Sequence, residues 1–353
     1  MRGDRSRPRV KVLMPHAVFY TVWCLTAVFG SAVLTRQLID WARARGMLDL
    51  PNERGSHALP TPRGGGLAIV AVVSAAACLA AVLHPESLGP LAGAMLPALA
   101  VAAVSWFDDQ QPVPIRVRFT VHFAAAVAAT AVLGPVERID LGSFGAIDLG
   151  VAAWPLTVLW IVGLINAFNF MDGIDGIAGI TALAGGIAIA AAAWVSGATA
   201  IGAVAAAFAA ASLGFLMWNW PPARVFMGDV GSTFCGMLLA VLPLAVGAEA
   251  KPQVVPLAVF VMWPFIFDTG YTIVRRLRNR ENVFQPHRSH LYQRLAIAGW
   301  SHRAVSGLYG ALAAMAAVIG VTPLFDPSLR QSADHAALWT IGIGIILLLA
   351  LRK

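Results

Sequence analysis

Runs of 17 to 22 predominantly apolar residues recur along the whole chain, and nothing else in the sequence restricts its fold so severely. Each run can cross a hydrocarbon core of about 30 Å as a helix. About eleven are present, over 14–35, 66–83, 91–107, 117–133, 151–168, 177–195, 198–218, 232–249, 253–274, 304–321 and 335–351. Hydrophobic residues make up 58% of the 353 positions and charged residues 12%, more apolar surface than one water-soluble core could hide. The runs do not alternate as barrel strands would, and their Ala, Gly, Leu and Val content suits helices that approach closely in lipid. The expectation is an all-α integral membrane protein of about eleven transmembrane helices, forming one polytopic domain over 1–353, since no linker or soluble domain separates the runs. Cys24, Cys78 and Cys235 fall in three different runs and read as small core residues, without the spacing of a zinc site or disulfide framework.

Lys and Arg in short loops set the orientation. With 36–65 in the cytoplasm, alternation puts 106–118, 166–176, 218–231, 275–303 and the C-terminal tail on the same side, and these segments hold 17 of the 25 basic residues. The opposite loops hold three: Arg138, Lys251 and Arg330. The net charge of +7 therefore reads as a positive inner surface and not as a nucleic-acid patch, because the basic residues are dispersed at helix ends. An odd number of spans places the N-terminus outside and the C-terminus in the cytoplasm, yet the first eleven residues carry Arg2, Arg5, Arg7, Arg9 and Lys11. A miscounted span would explain this. So would internal loops that outweigh the tail, or translation that starts at Met14 and leaves 1–13 unmade; the consistency of the other loops favours these two. A signal peptide over 1–35 lacks a small-residue cleavage site.

A carboxylate at a helix centre costs roughly 3 kcal/mol on insertion scales, so acidic residues near spans usually mark function. Asp108 and Asp109 follow the third run in WFDDQQ, Asp172 and Asp175 follow the fifth in NAFNFMDGIDGIAG, and Asp229 precedes the eighth in FMGDVGS. With His287 and His290 in PHRSH, all face the cytoplasm in this topology, as an active site requires and chance scatter does not. The adjacent pair Asp108 and Asp109 repel unless a divalent cation or a cationic side chain offsets them, although a solvated helix cap would look the same. Asn166, Asn169, Asp172 and Asp175 are three apart and share a face if the backbone there is helical. Asp229 opens a helix whose free amides suit phosphate, unless it merely caps them. Arg54 to Gly66 offers cations and three consecutive glycines before the second run. Two imidazoles three apart beside Arg288 fall short of a zinc set. Cations, helix starts and carboxylates together suit Mg²⁺ bridging a pyrophosphate, and a Walker P-loop is absent.

Taken in order, PNERGSHALPTPRGGG, FDD, NAFNFMDGIDGIAG, FMGDVGS and PHRSH resemble the polyprenyl-phosphate N-acetylhexosamine-1-phosphate transferase superfamily, of the glycosyltransferase family 4 type. PTPRGGG and HRSHLYQ are similar to the branch that initiates O-antigen. The related phospho-N-acetylmuramoyl-pentapeptide transferase carries a histidine-rich triplet in place of His287-Arg288-Ser289-His290. The resemblance implies transfer of an N-acetylhexosamine 1-phosphate from a UDP-sugar to undecaprenyl phosphate in a bacterial inner membrane, with UMP as the second product. It implies Asp108, Asp109 and Asp229 as catalytic residues. It implies Mg²⁺, with Mn²⁺ as the alternative, held among Asp229, Asp108, Asp109, Asn169 and Asp172. Asn166, Asn169, Asp172 and Asp175 would line the nucleotide and metal site, Phe226 would stack on uracil, and His57, Arg63, His287, Arg288 and His290 would hold phosphates or the sugar. A homodimer is an open expectation.

A phosphate monoester is largely dianionic at neutral pH, its second pKa lying near 6, so the lipid acceptor hardly needs a general base and direct attack is expected over a phospho-aspartate at Asp108. A peptidoglycan-precursor transferase and a polytopic transporter are the rival readings. The transporter would favour midplane carboxylates and internal repeats, and neither is visible, although Asp268 in WPFIFDTGY falls in the ninth run, where an active-site wall and a buried helix-packing partner are its equal alternatives. A purely structural scaffold leaves the one-sided acidic clusters without a reason. The segment VERIDLGSFGAIDLG alternates weakly, as a small hairpin would.

Overall fold

The computed structural model describes residues 8–49, 60–282, 285 and 287–351. Its helices are α1 (Pro8–Arg45), α2 (Leu67–Leu83), α3 (Leu88–Gln110), α4 (Ile115–Leu133), α5 (Ala153–Met171), α6 (Ile177–Val195), α7 (Thr199–Asn219), α8 (Gly228–Val241), α9 (Lys251–Val261), α10 (Trp263–Arg278), α11 (Leu291–Ile297), α12 (His302–Phe325) and α13 (Arg330–Ala350). Two short antiparallel pairs complete the described chain. Strand β1 (Leu48–Asp49) pairs with β2 (Thr61–Pro62), and β3 (Arg138–Asp140) pairs with β4 (Ala146–Asp148), the small hairpin that the alternation suggested.

Among the described residues eight helices are long and apolar enough to cross a membrane, or nine if the bent pair α9 and α10 is one span. Two shorter apolar helices, Leu67–Leu83 and Gly228–Leu244, account for the remaining runs, so every apolar run seen in the sequence is a helix. The ninth run is not straight: α9 and α10 meet at 65°. Pro264, at the start of α10, has no N–H to continue the ladder of α9, which is why the break falls there. Beyond the bend α10 packs against α5 and α12 and ends in Arg275, Arg276 and Arg278.

Small residues set the packing. An added Cβ on Gly186 of α6 would stand 2.9 Å from the Ala209 Cβ of α7, a spacing only glycine and alanine allow. Helix α8 is innermost, buried at every residue from Val230 to Val241, between α3 and α5. Large apolar side chains such as Val18, Phe29, Leu96, Phe119 and Trp339 face outward, as a lipid-bathed belt requires. Of the cysteines, Cys235 is buried and Cys24 half-buried as core residues, whereas Cys78 is exposed on α2 and belongs to that belt.

Polar loops gather at the two ends of the bundle. At one end Lys251 Nζ caps the last carbonyls of α4 at Leu133 and Gly134, and Arg330 of α13 holds Asp140 of the hairpin at 2.9 Å. The other end carries the acidic clusters.

Candidate active site

The glycine-rich turn before α2 and the loop before α8 form one piece of structure. Phe226 N–H donates to the Pro62 carbonyl at 2.8 Å, and the Phe226 and Met227 carbonyls accept the Gly65 and Gly66 amides at 3.0 and 2.9 Å. Glycine is required because these backbones touch: a Cβ on Gly66 would lie 2.3 Å from Gly231 Cα. Two motifs separated by 159 residues of chain thus build one floor, and Arg63 and Asp229 stand at its edges.

The adjacent carboxylates of α3 have different tasks. Asp109 is buried; its Oδ1 accepts the Asp229 amide at 3.0 Å and its Oδ2 the Val230 amide at 2.9 Å, while Arg63 Nη2 lies 3.2 Å from Oδ1. It is therefore the cap of α8 from another helix. This corrects the expectation of free amides for phosphate at the start of α8, and it leaves Asp109 little capacity to ligate a metal. Gly228, at φ +76°, passes so close that a Cβ would lie 2.8 Å from Asp109 Oδ2. Asp108, one residue earlier, projects differently. Its Oδ1 accepts the Val113 amide at 2.7 Å and its Oδ2 pairs with Arg118 Nη1.

Arg118 lies in the first turn of α4, and the same Nη1 reaches Asp229 Oδ2 at 3.1 Å. On the other side of Asp229, Asn169 Nδ2 donates to Oδ1 at 3.1 Å and to Ser232 Oγ at 2.9 Å. Asp108, Arg118, Asp229 and Asn169 therefore form one continuous polar line across α3, α4, α8 and α5. Sequence reasoning counted Arg118 only as one more basic loop residue; its signal was its position just after the pair Asp108 and Asp109, at the start of a span.

The expected stripe on α5 breaks. Helix α5 ends at Met171, and Asp172, at φ −83° and ψ 54°, turns the chain out of the helix. Asn166 donates to the Val162 carbonyl at 2.7 Å one turn below Asn169. Asp172 stays with the cluster: burial first, then Asp229, Asp109 and Asp175, push its pKa well above the usual carboxylate range. Asp175 leaves the shared face, for its Oδ2 accepts the Ala223 amide at 3.0 Å and its Oδ1 lies 3.4 Å from His302 Nδ1. The reason is Gly176, whose amide donates to Asn219 Oδ1 at 2.9 Å and pins the turn to the end of α7.

Asp268 resolves to the packing alternative. It is fully buried on α10, and Oδ1 accepts the Leu291 amide at 2.8 Å while Oδ2 accepts the Tyr292 amide at 3.0 Å and Tyr309 Oη at 2.7 Å. It caps α11 and so presents the segment 287–290. His290 Nδ1 lies 3.3 Å from Asp268, and Tyr292 Oη donates to the Phe170 carbonyl at 3.0 Å, which moors this segment to the end of α5. His287 Nδ1 meets Ser289 Oγ at 2.9 Å, and its pKa is pushed down to about 4 by burial first and then by His290, Arg276 and Arg275. Arg288 sits between them, half-buried. Phe226 is half-buried on the glycine floor. His57 lies outside the described residues.

Carboxylates and guanidiniums interleaved at one end of a polytopic helical bundle are the surroundings that a membrane-embedded enzyme acting on phosphates requires. The glycosyl transferase family 4 pattern matches residues 91–247, which hold every residue of the polar line. The chain is 32% identical to a protein of Bacillus subtilis named "probable undecaprenyl-phosphate N-acetylglucosaminyl 1-phosphate transferase", over 81% of this chain and 78% of that protein. It is also 32% identical to the decaprenyl-phosphate N-acetylglucosaminephosphotransferase of Mycolicibacterium smegmatis, over 92% and 87%, and 29% identical to the undecaprenyl-phosphate alpha-N-acetylglucosaminyl 1-phosphate transferase of Escherichia coli, over 79% and 77%. The chain belongs to glycosyl transferase family 4.

Proposed function

We propose that the protein transfers N-acetylglucosamine 1-phosphate from the UDP-sugar to a polyprenyl phosphate, undecaprenyl phosphate being the expected carrier, at the cytoplasmic face of a bacterial inner membrane. The activities in the names of its relatives support the reaction. The observation that carries it in this chain is the shared guanidinium: Arg118 stands between Asp108 and Asp229, a cation held where two phosphates would meet carboxylates. The lipid phosphate oxygen attacks the sugar-linked phosphorus, that P–O bond forms, the bond to the uridine-bearing phosphate breaks, and UMP leaves. Arg118 and Arg63 offset the charge of the reacting phosphates, and Asn169 orients Asp229.

Among the described residues no three carboxylates or imidazoles converge as a preformed metal site, so Mg²⁺, typically held by one or two carboxylates plus substrate phosphates, would take most of its oxygens from the substrates. Asp229 and Asp172 would hold it, with Asp108 nearby, and it would supply charge neutralisation at the transferred phosphoryl group. Asp109, as a helix cap, would act through the placement of Asp229.

UMP release by purified protein in detergent, with undecaprenyl phosphate and Mg²⁺, across a panel of UDP-N-acetylhexosamines is the direct test. Lipid-dependent release with the N-acetylglucosamine donor, abolished by EDTA, is expected; release without lipid, or none with any donor, would refute the reading. Asp108→Asn should retain measurable turnover because Asp108 positions Arg118, whereas a trappable phospho-enzyme in the unmodified protein would overturn direct attack.

A further inference from the structure

One buried group near the polar line makes no hydrogen bond of ordinary geometry. His122 is 4% exposed on α4, and among the described residues neither Nδ1 nor Nε2 meets a hydrogen-bond partner. A neutral imidazole always presents one donor and one acceptor, so two groups are orphaned where buried polar atoms are as a rule satisfied. Packing alone does not explain the residue, since an apolar side chain of similar size would fill the same space without that cost.

The neighbours supply what is missing. Arg118 and Asn166 are the polar groups that act on the ring. Arg118 precedes it by one helical turn on the same face of α4. The Nε–H of Arg118, which can only donate, is itself buried without a partner. Asn166 spends its amide on the Val162 carbonyl at 2.7 Å, which leaves Oδ1 to accept. A donor, an imidazole with one acceptor and one donor, and an acceptor are thus neighbours, each with capacity to spare.

We propose that His122 is a positioning residue for Arg118, accepting its Nε–H on one ring nitrogen and donating from the other to Asn166 Oδ1. Nη1 of the same guanidinium is shared between Asp108 and Asp229. A substrate phosphate or a cation competes for those contacts, and without a second anchor the flexible arginine would lose its direction whenever they loosen. The His122 relay fixes the plane of the guanidinium from behind and ties it to α5, so α4 and α5 present Arg118 and Asn169 as one rigid unit. The consequence for turnover rests on the transferase reading, whereas the hydrogen bond does not.

Ring ¹⁵N shifts of histidine-labelled protein in lipid, with the His122 signal assigned by its loss in His122→Gln, test the bond directly. The expected result is one protonated nitrogen and one hydrogen-bonded acceptor nitrogen, the latter moving in Arg118→Lys, which has no Nε–H; an acceptor signal unmoved by that change overturns the proposal. In the UMP-release assay His122→Leu should lower kcat about tenfold, as loss of a supporting residue commonly does. His122→Gln, which keeps an acceptor and a donor, should recover to within about threefold. In the Arg118→Lys background His122→Leu should add almost nothing; independent, multiplying losses would mean that His122 does not act through Arg118. If the unmodified protein shows no lipid-dependent release, the transferase reading falls while the ¹⁵N result still decides the bond.

Discussion

The carboxylates of the site differ in what holds them, and their variants should fail differently. Asp109 bonds two buried amides and Arg63, so Asp109→Asn should cost roughly 1–3 kcal/mol of stability along with turnover. Asp229 is held at its edges by Arg118 and Asn169, so Asp229→Asn should leave the melting temperature near that of the unmodified protein while turnover falls by about 100-fold or more. Melting curves beside UMP release separate the two. The pH dependence of stability carries two opposite signs. Asp172 has a raised pKa in the folded protein, so its contribution is present at low pH and lost as pH rises through that value. His287, depressed to about 4, contributes above the ordinary histidine pKa and loses that contribution as pH falls toward 4. In EDTA, Asp172→Asn should flatten the first slope in part, since Asp109 and Asp229 are shifted the same way, and His287→Gln should flatten the second; melting temperature measured against pH checks both. The Asp109 role was not legible from residue type, because an aspartate one position from Asp108 carries no mark of which helix start it will meet.

Among the elements, α10 and α11 depend on each other. Asp268 satisfies the first amides of α11, and Tyr309 of α12 closes the same carboxylate. Tyr309→Phe removes one bond and should cost about 1 kcal/mol, while Asp268→Asn, which places a donor against donors, should cost more and raise KM for the nucleotide sugar by loosening 287–290. Calorimetry and steady-state kinetics on the two variants check this, and an unchanged KM in Asp268→Asn would show that the loop does not need its cap. The run of apolar residues over 253–274 announced a span but not its bend, since Pro264 reads equally as a tolerated first-turn proline or a break until α9 and α10 have neighbours to choose between. Likewise the three-residue spacing of Asn166, Asn169, Asp172 and Asp175 supposed a helix that ends at Met171, because Gly176 finds Asn219.

For the whole molecule, alternation of the loops predicts a testable topology: single cysteines in 138–148 should react with an impermeant reagent from outside intact cells, and those in 218–224 only after the membrane is opened. Labelling in the reverse sense would place the polar end outside and remove the proposed access to a cytoplasmic UDP-sugar. Segments assigned to the inner side meet at one end of the bundle, where Arg63 pairs with Asp109, Arg118 with Asp108 and Asp229, Asn169 with Asp229, and Tyr292 with the Phe170 carbonyl. By itself the sequence determined the helices, the family motifs and the end of the bundle that would hold them, because apolar length, glycine and carboxylate spacing are local properties that any fold must respect. Only the tertiary structure decided that Asp109 caps α8, that Asp268 caps α11, and that Arg118 lies at the centre with His122 behind it. Those assignments are pairings between distant segments, and a hydrogen bond's partner is set by where the helices pack, not by the residue that offers it.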